Sequence, residues 1–240
     1  MNEKTKKLFS AAAAAAVLTG VTGFFLRLFL YRVGLDEKGM LVSWHPLTVC
    51  LVLAGLLSAG ITLTLTWKLP GKSSCRGPAG KLPAVGSALM ALGLVLYLLA
   101  PRQERLHLAV LALGILAAAA MAFSAWTQFR GKQPYFLCYV AVSLFMAANL
   151  IGNYQAWRQV TQLMDFAPAL LSVVMLMLYA FQLAQGSLTQ ATRRSLLAYG
   201  GLGIFLCLTA ASGIEPAALY LGGAAWMITG LLAGPQEEPV

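Results

Sequence analysis

The sequence predicts an all-α protein: a polytopic helical bundle embedded in a membrane. Three observations predict it. Of the 240 residues 59% are hydrophobic and only 10% are charged, giving a mean hydropathy of +0.75. A soluble domain carries about 25% charged residues, so this chain could not cover a water-facing surface. Apolar runs of helix length recur from one end of the chain to the other, and a membrane helix needs about 20 such residues. Most of the charged groups fall in the short segments between the runs, with Arg27 inside the first run as an exception.

In order, about eight spans are expected: Leu8–Tyr31, Pro46–Trp67, Leu82–Ala100, Leu106–Gln128, Pro134–Gly152, Phe166–Gln185, Arg194–Ser212 and Pro216–Ala233. They form one transmembrane domain over 1–240, since no polar stretch is long enough for a separate soluble unit. Lys4, Lys6 and Lys7 followed by Ala11–Ala16 have the outline of a signal peptide. A signal core is roughly 7–15 residues, whereas this run continues to Tyr31, so it reads as an uncleaved first helix. Pro46, Pro134 and Pro216 open helices, where a missing N–H costs nothing. Asp165 is a candidate cap for the sixth span. Ser187 and Gln190 have the spacing of a capping box, which starts the seventh helix ahead of its apolar run.

Basic residues in short loops set orientation. With the N-terminus cytoplasmic, the inner side holds Lys4, Lys6, Lys7, Lys68, Lys72, Arg76, Lys81, Arg130, Lys132, Arg193 and Arg194. The outer side holds the smaller set Arg27, Arg32, Lys38, Arg102, Arg105 and Arg158. Both termini are then cytoplasmic. Trp44 and Trp157 fall at the outer boundary and Trp67 and Trp126 at the inner one, as interfacial belts do, while Trp226 lies inside the last span. The net charge of +9 belongs to these orienting loops. No water-facing element interleaves aromatic and basic residues, so nucleic acid is excluded as a partner.

Small residues mark where helices meet: Ala11–Ala16, Gly20 and Gly23 in the first span, Ala117–Ala120 in the fourth, Gly200, Gly201 and Gly203 in the seventh, Gly222–Ala225 in the eighth. Close backbone approach drives association in lipid, and the same faces offer a surface to another membrane protein. Cys50, Cys75, Cys138 and Cys207 are scattered, which argues against a disulfide framework or zinc site and for free cysteines buried as small apolar fillers.

The candidate ligand-binding residues are Arg27, Asp36, Glu37, His45, His107, Asn149, Asn153 and Arg158, all in the outer half. Arg27 lies on the face of Gly20 and Gly23. It either snorkels to the headgroups or turns inward to pair with Asp36, Glu37, Asn149, Asn153 or an anionic ligand. Asn149 and Asn153 are four apart on one helix face, suited to interhelical hydrogen bonding or to a polar cavity wall. His45 and His107 start helices at similar depth. Two facing histidines can ligate haem or metal, but no Cys, Asp or Glu spacing accompanies them, so a cap and an interfacial residue are expected, with no metal and no cofactor. Gln128 and Gln182 read as interfacial, and the inner half as carrying only orienting charge.

No catalytic motif occurs. Gly71-Lys72-Ser73 lacks the upstream glycine and strand of a phosphate loop. The sequence therefore points away from an enzyme and toward binding or transport of a small polar or anionic solute, or of a lipid headgroup, through an outward-facing polar mouth. The alternative is a non-catalytic subunit of a larger membrane assembly. The pattern Arg27-Leu28-Phe29-Leu30-Tyr31, Asp36-Glu37-Lys38-Gly39 and His45-Pro46 resembles the first hairpin of multi-pass membrane proteins of anaerobic Gram-positive bacteria, a family with no function attached. The resemblance covers about the first fifth of the chain and implies a bacterial inner membrane. The Ala-rich half of the first helix is similar to the docking face in substrate-binding subunits of vitamin uptake transporters.

Overall fold

A computed structural model describes residues 3–34, 45–69, 74–100, 108–157, 166–188, 191–213 and 216–235, with side chains described except at 3–4, 74 and 153–157. Eight helices carry the fold: α1 Glu3–Val33, α2 Pro46–Trp67, α3 Lys81–Leu99, α4 Leu108–Phe129, α5 Phe136–Trp157, α6 Ala167–Ser187, α7 Arg193–Ala210 and α8 Ala217–Ala233. Five are long and apolar enough to cross a membrane: those beginning at Thr5, Pro46, Lys81, Leu108 and Ala167. Their outward faces are apolar, with Leu18, Phe29, Leu56, Leu99 and Ile115 among the large hydrophobic side chains left exposed. Such a surface suits hydrocarbon rather than water.

Helices α3 to α8 form a closed ring. Each packs on its sequence neighbour, and α8 returns to pack most extensively on α3. α1 lies outside the ring on α7 and touches α8, and α2 lies outside on α1 and α7. Neighbouring contacts place the helices alternately up and down. Ser87 meets Gln128 across α3 and α4, and Ser143 meets Met177 across α5 and α6. The end that carries Lys68, Lys81, Arg130, Lys132, Arg193 and Arg194 is called the basic end below, and the opposite one the far end. Inside the ring, Trp226 of α8 reaches across to stack on Tyr139 of α5 at 6.2 Å and to meet Tyr179 of α6 edge-on at 5.2 Å. Met90, Leu94, Met121, Phe145, Met146 and Leu176 fill the rest, all buried.

The ring closes where two glycines meet. A Cβ on Gly93 would lie 2.6 Å from the Ala218 carbonyl oxygen and 3.2 Å from Gly222 Cα, and one on Gly222 would lie 2.9 Å from the Leu89 carbonyl oxygen. The neighbours are backbone and cannot turn aside, so only glycine permits this crossing. The buried face of α1 is Phe9, Ala12, Ala13, Ala16, Gly20, Gly23, Arg27 and Leu30, a single stripe of helical period.

Several expectations change. The bundle is not wholly helical: Ser74–Cys75 (β1) pairs antiparallel with Ala191–Thr192 (β2). α7 does not begin at a Ser187 capping box. Thr192 caps it, accepting from the Ser195 N–H at 3.4 Å, because β2 holds the preceding residues extended. Asp165 and Gln190 lie outside the described residues, and α6 starts at Phe166 without a side-chain cap. Pro46 does occupy the first turn of α2, whereas α5 starts two residues after Pro134. Cys50 is exposed on α2, not buried, since that helix is covered on one side only, while Cys75, Cys138 and Cys207 are buried as expected. Trp126 sits at the basic end with the Arg130 guanidinium 3.8 Å above its ring, a suitable interfacial anchor.

The ring closure is testable against a glycine outside it. Gly93→Leu should lose about 3 kcal/mol or fail to assemble, because the clash is with backbone. Gly60→Ala on the open face of α2, where a Cβ meets nothing within 4 Å, should gain about 0.5–1 kcal/mol. Thermal melts of the two variants in one detergent compare them directly.

Candidate functional site

Arg27 turns inward, and backbone carbonyls are among its partners. It is 3% exposed. Nη1 donates to the Thr209 carbonyl at 3.1 Å and to the Ala210 carbonyl at 3.5 Å, and Nη2 donates to the Tyr31 hydroxyl at 3.2 Å. Gly20 and Gly23 bring α1 against Phe205, Leu208 and Thr209, so a long side chain one turn further on reaches the last turn of α7. The carbonyls there carry the negative end of the helix dipole; that of Thr209 also accepts from Ser212 Oγ at 2.8 Å and that of Ala210 from the Gly213 N–H at 2.9 Å. The guanidinium adds further hydrogen bonds and offsets the charge. Asn149 is instead bonded to Tyr97 on α3, and the side chain of Asn153 lies outside what is described. Asp36 and Glu37 lie outside the described residues.

Asn149 is 1% exposed in α5, and its Oδ1 accepts from the Tyr97 hydroxyl of α3 at 2.7 Å. α4 stands between those helices in the ring, so this bond crosses the ring interior near the far end. The Asn149 Nδ2 group is buried without a hydrogen-bond partner among the described residues. Asn153 belongs to α5, but its side chain is not described. His45 caps α2, its Nδ1 accepting from the Leu47 N–H at 3.3 Å. His107 and Arg158 lie outside the described residues. The structure thus brings no two of the described candidates together: Arg27 ties α1 to α7, Asn149 ties α5 to α3, and His45 ends α2.

A second polar group lies in the ring at the basic end, where only orienting charge was expected. Gln128 of α4 is 1% exposed. Its Oε1 accepts from Ser87 Oγ of α3 at 2.8 Å. Its Nε2 donates to the Tyr139 hydroxyl of α5 at 3.2 Å and to the Pro78 carbonyl at 3.4 Å. Ser124, one turn before Gln128, is equally buried. Gln182 is half-buried, accepting from Ser195 Oγ at 2.6 Å. Gln128 is visible in the sequence as an amide ending an apolar run with Ser124 at i−4. Nothing in the sequence says that α3 and α5 each place a hydroxyl against it.

On the ring axis, then, an uncharged polar cluster at the basic end and the Tyr97–Asn149 pair toward the far end are separated by Met90, Leu94, Met121, Phe145 and Met146. A cleft of about 640 Å³ runs along the outside of α3 and α4, lined by Ala91, Val95, Leu98, Leu111, Ile115 and Ala118 among others. Its wall is apolar and offers a solute no hydrogen bond. Among the described residues no group of three or more His, Cys, Asp or Glu comes together. In comparisons with known proteins the chain matches no family model, no curated protein and no solved structure.

Two outcomes follow from these contacts. Arg27→Met should cost about 2–3 kcal/mol, the worth of charge-assisted hydrogen bonds at a buried helix C-terminus, with Arg27→Lys recovering only part because it lacks the planar fork; chemical denaturation in detergent reads both. Asn149→Leu alone should cost about 1–2 kcal/mol by stranding the Tyr97 hydroxyl. Tyr97→Phe with Asn149→Leu should cost less than the sum of the single changes, as a double-mutant cycle measures.

Proposed function

We propose that the chain is an eight-span protein of a bacterial inner membrane, with both termini cytoplasmic, and that it binds and carries a small polar solute along the axis of the α3–α8 ring. The observation that supports this reading is the cluster of Ser87, Gln128 and Tyr139, buried inside the ring and covered at the basic end by non-helical chain. Hydrogen-bonding groups are costly in lipid and are commonly placed along solute routes. The cluster carries no ionised side chain, so the solute it suits is a neutral hydrogen-bonding one rather than an anion. This moves the site away from the mouth around Arg27, whose guanidinium is engaged by α7.

A second reading, a non-catalytic subunit, is favoured by α2. That helix packs on α1 and α7 and leaves Val49, Val52, Leu53, Leu56 and Leu57 exposed along its length, a face that another membrane protein could cover.

A thermal-shift screen of purified protein separates the two. Under the carrier reading, neutral polyols, amides or nucleosides stabilise the protein by about 2–3 kcal/mol at a hundredfold excess over Kd, and Gln128→Leu removes that gain. A stoichiometric membrane partner with no solute response supports the subunit reading. Reporter fusions at both ends test the topology: activity of a cytoplasmic reporter at each end is expected.

A further inference from the structure

The non-helical chain over the polar cluster is residues 74–80. It dips into the basic end of the ring instead of running across it. Cys75, Gly77 and Pro78 are buried. Gly77 lies against α6, where a Cβ on Gly186 would come within 3.0 Å of the Gly77 nitrogen. Gly186 therefore leaves a socket for the incoming backbone. Pro78 approaches Gly230 of α8 and turns its carbonyl to Gln128.

We propose that residues 74–80 are a gate: the segment lifts from the basic end of the ring and opens the Ser87–Gln128–Tyr139 cluster to water on that side. This rests on the carrier reading and assigns the moving part of it. Side-chain hydrogen bonds are among the contacts that hold the segment. Gln133 Nε2 donates to the Gly77 carbonyl at 2.7 Å and Gln128 Nε2 to the Pro78 carbonyl at 3.4 Å. The strand pair with Ala191–Thr192 is two residues long, and Cys75 Sγ donates to the Ala191 carbonyl at 3.5 Å. A ladder this short is marginal by itself. The segment joins α3 through Gly80, whose φ of +121° and ψ of −175° are accessible to glycine, so a swivel sits at the root of the segment. The Gln128 amide is shared between segment and cluster. Lifting the segment frees that donor at the moment the cluster opens, and a solute carbonyl or hydroxyl can take the place of the Pro78 carbonyl.

Cys75 reports the motion. In the closed state it is fully buried, and burial pushes its thiol up from an ordinary 9.0 to about 11, against a smaller lowering by Arg193. Its inaccessibility and its raised pKa both make it slow toward alkylating reagents. The experiment uses the full chain in proteoliposomes with Cys50, Cys138 and Cys207 replaced, and a water-soluble maleimide on the basic side. Cys75 should label at least about tenfold more slowly than a cysteine at exposed Arg130, and Gln133→Ala should raise its rate about tenfold, the effect of losing one hydrogen bond of the closed state. A second reporter, Ser87→Cys in a cysteine-free chain, should gain in the same proportion on Gln133→Ala; Ser124→Cys replaces it if that variant does not fold. Fast labelling of Cys75 at rest, or no response to Gln133→Ala, overturns the gate. Acceleration at Cys75 alone also overturns it, since the segment would then fray without uncovering the cluster. Parallel acceleration at both reporters supports the gate even where no solute shifts the melting temperature, an outcome that counts against the carrier reading alone.

Discussion

The fold depends on the backbone contact between Gly93 and Gly222. It brings α8, last in the chain, against α3, and so turns a run of sequential helix pairs into a closed ring. Between helices in lipid there is no hydrophobic gain from burying leucine against leucine, because the surrounding tails are equally apolar. Close approach and buried hydrogen bonds must do the associating. Gly86 and Gly93 on α3 and Gly222 on α8 supply the first. Once the ring is closed, Trp226 is carried to its interior and fits between Tyr139 and Tyr179.

Polar groups follow the same constraint. Away from water a buried donor or acceptor needs a protein partner, and several here find one on a neighbouring or facing helix. Arg27 fastens α1 to the end of α7, Tyr97 and Asn149 join α3 to α5, and Gln128 joins α3, α4, α5 and the segment at 74–80. Thr19 donating to Ser58 at 3.1 Å joins α1 to α2. Most of these contacts tie rigid helices together. The Gln128 group differs in that one of its partners is a carbonyl on non-helical chain, and that difference carries the functional reading.

The basic end also has a clasp that binds distant loops. β1 meets β2, and Arg194 Nε donates to the Leu69 carbonyl at 2.8 Å. Two connections more than a hundred residues apart in the chain are thereby held at one place beside the buried segment. The arginines expected to serve orientation alone thus also have a structural task, since a guanidinium can reach a bare carbonyl at a helix end and keep its charge near the interface.

The sequence by itself determined the helices and most of their ends. Twenty-residue apolar runs cannot satisfy their backbone in lipid except as helices, and prolines and short polar joints cut the runs within a few residues of where the structure ends them. It also pointed to an inward Arg27 without deciding it, because Gly20 and Gly23 lie on nearly the same helical stripe while a long side chain near a helix end can equally snorkel. Tertiary structure alone decided that Arg27 meets α7: that helix is remote in sequence, and it offers backbone carbonyls that no residue type announces. The same holds for the polar cluster. Gln128 reads as an interfacial amide until Ser87 and Tyr139 arrive from two other helices. Residues 74–80 read as a basic loop because hydropathy reports composition, whereas their burial depends on a socket between helices that exists only once the ring has closed.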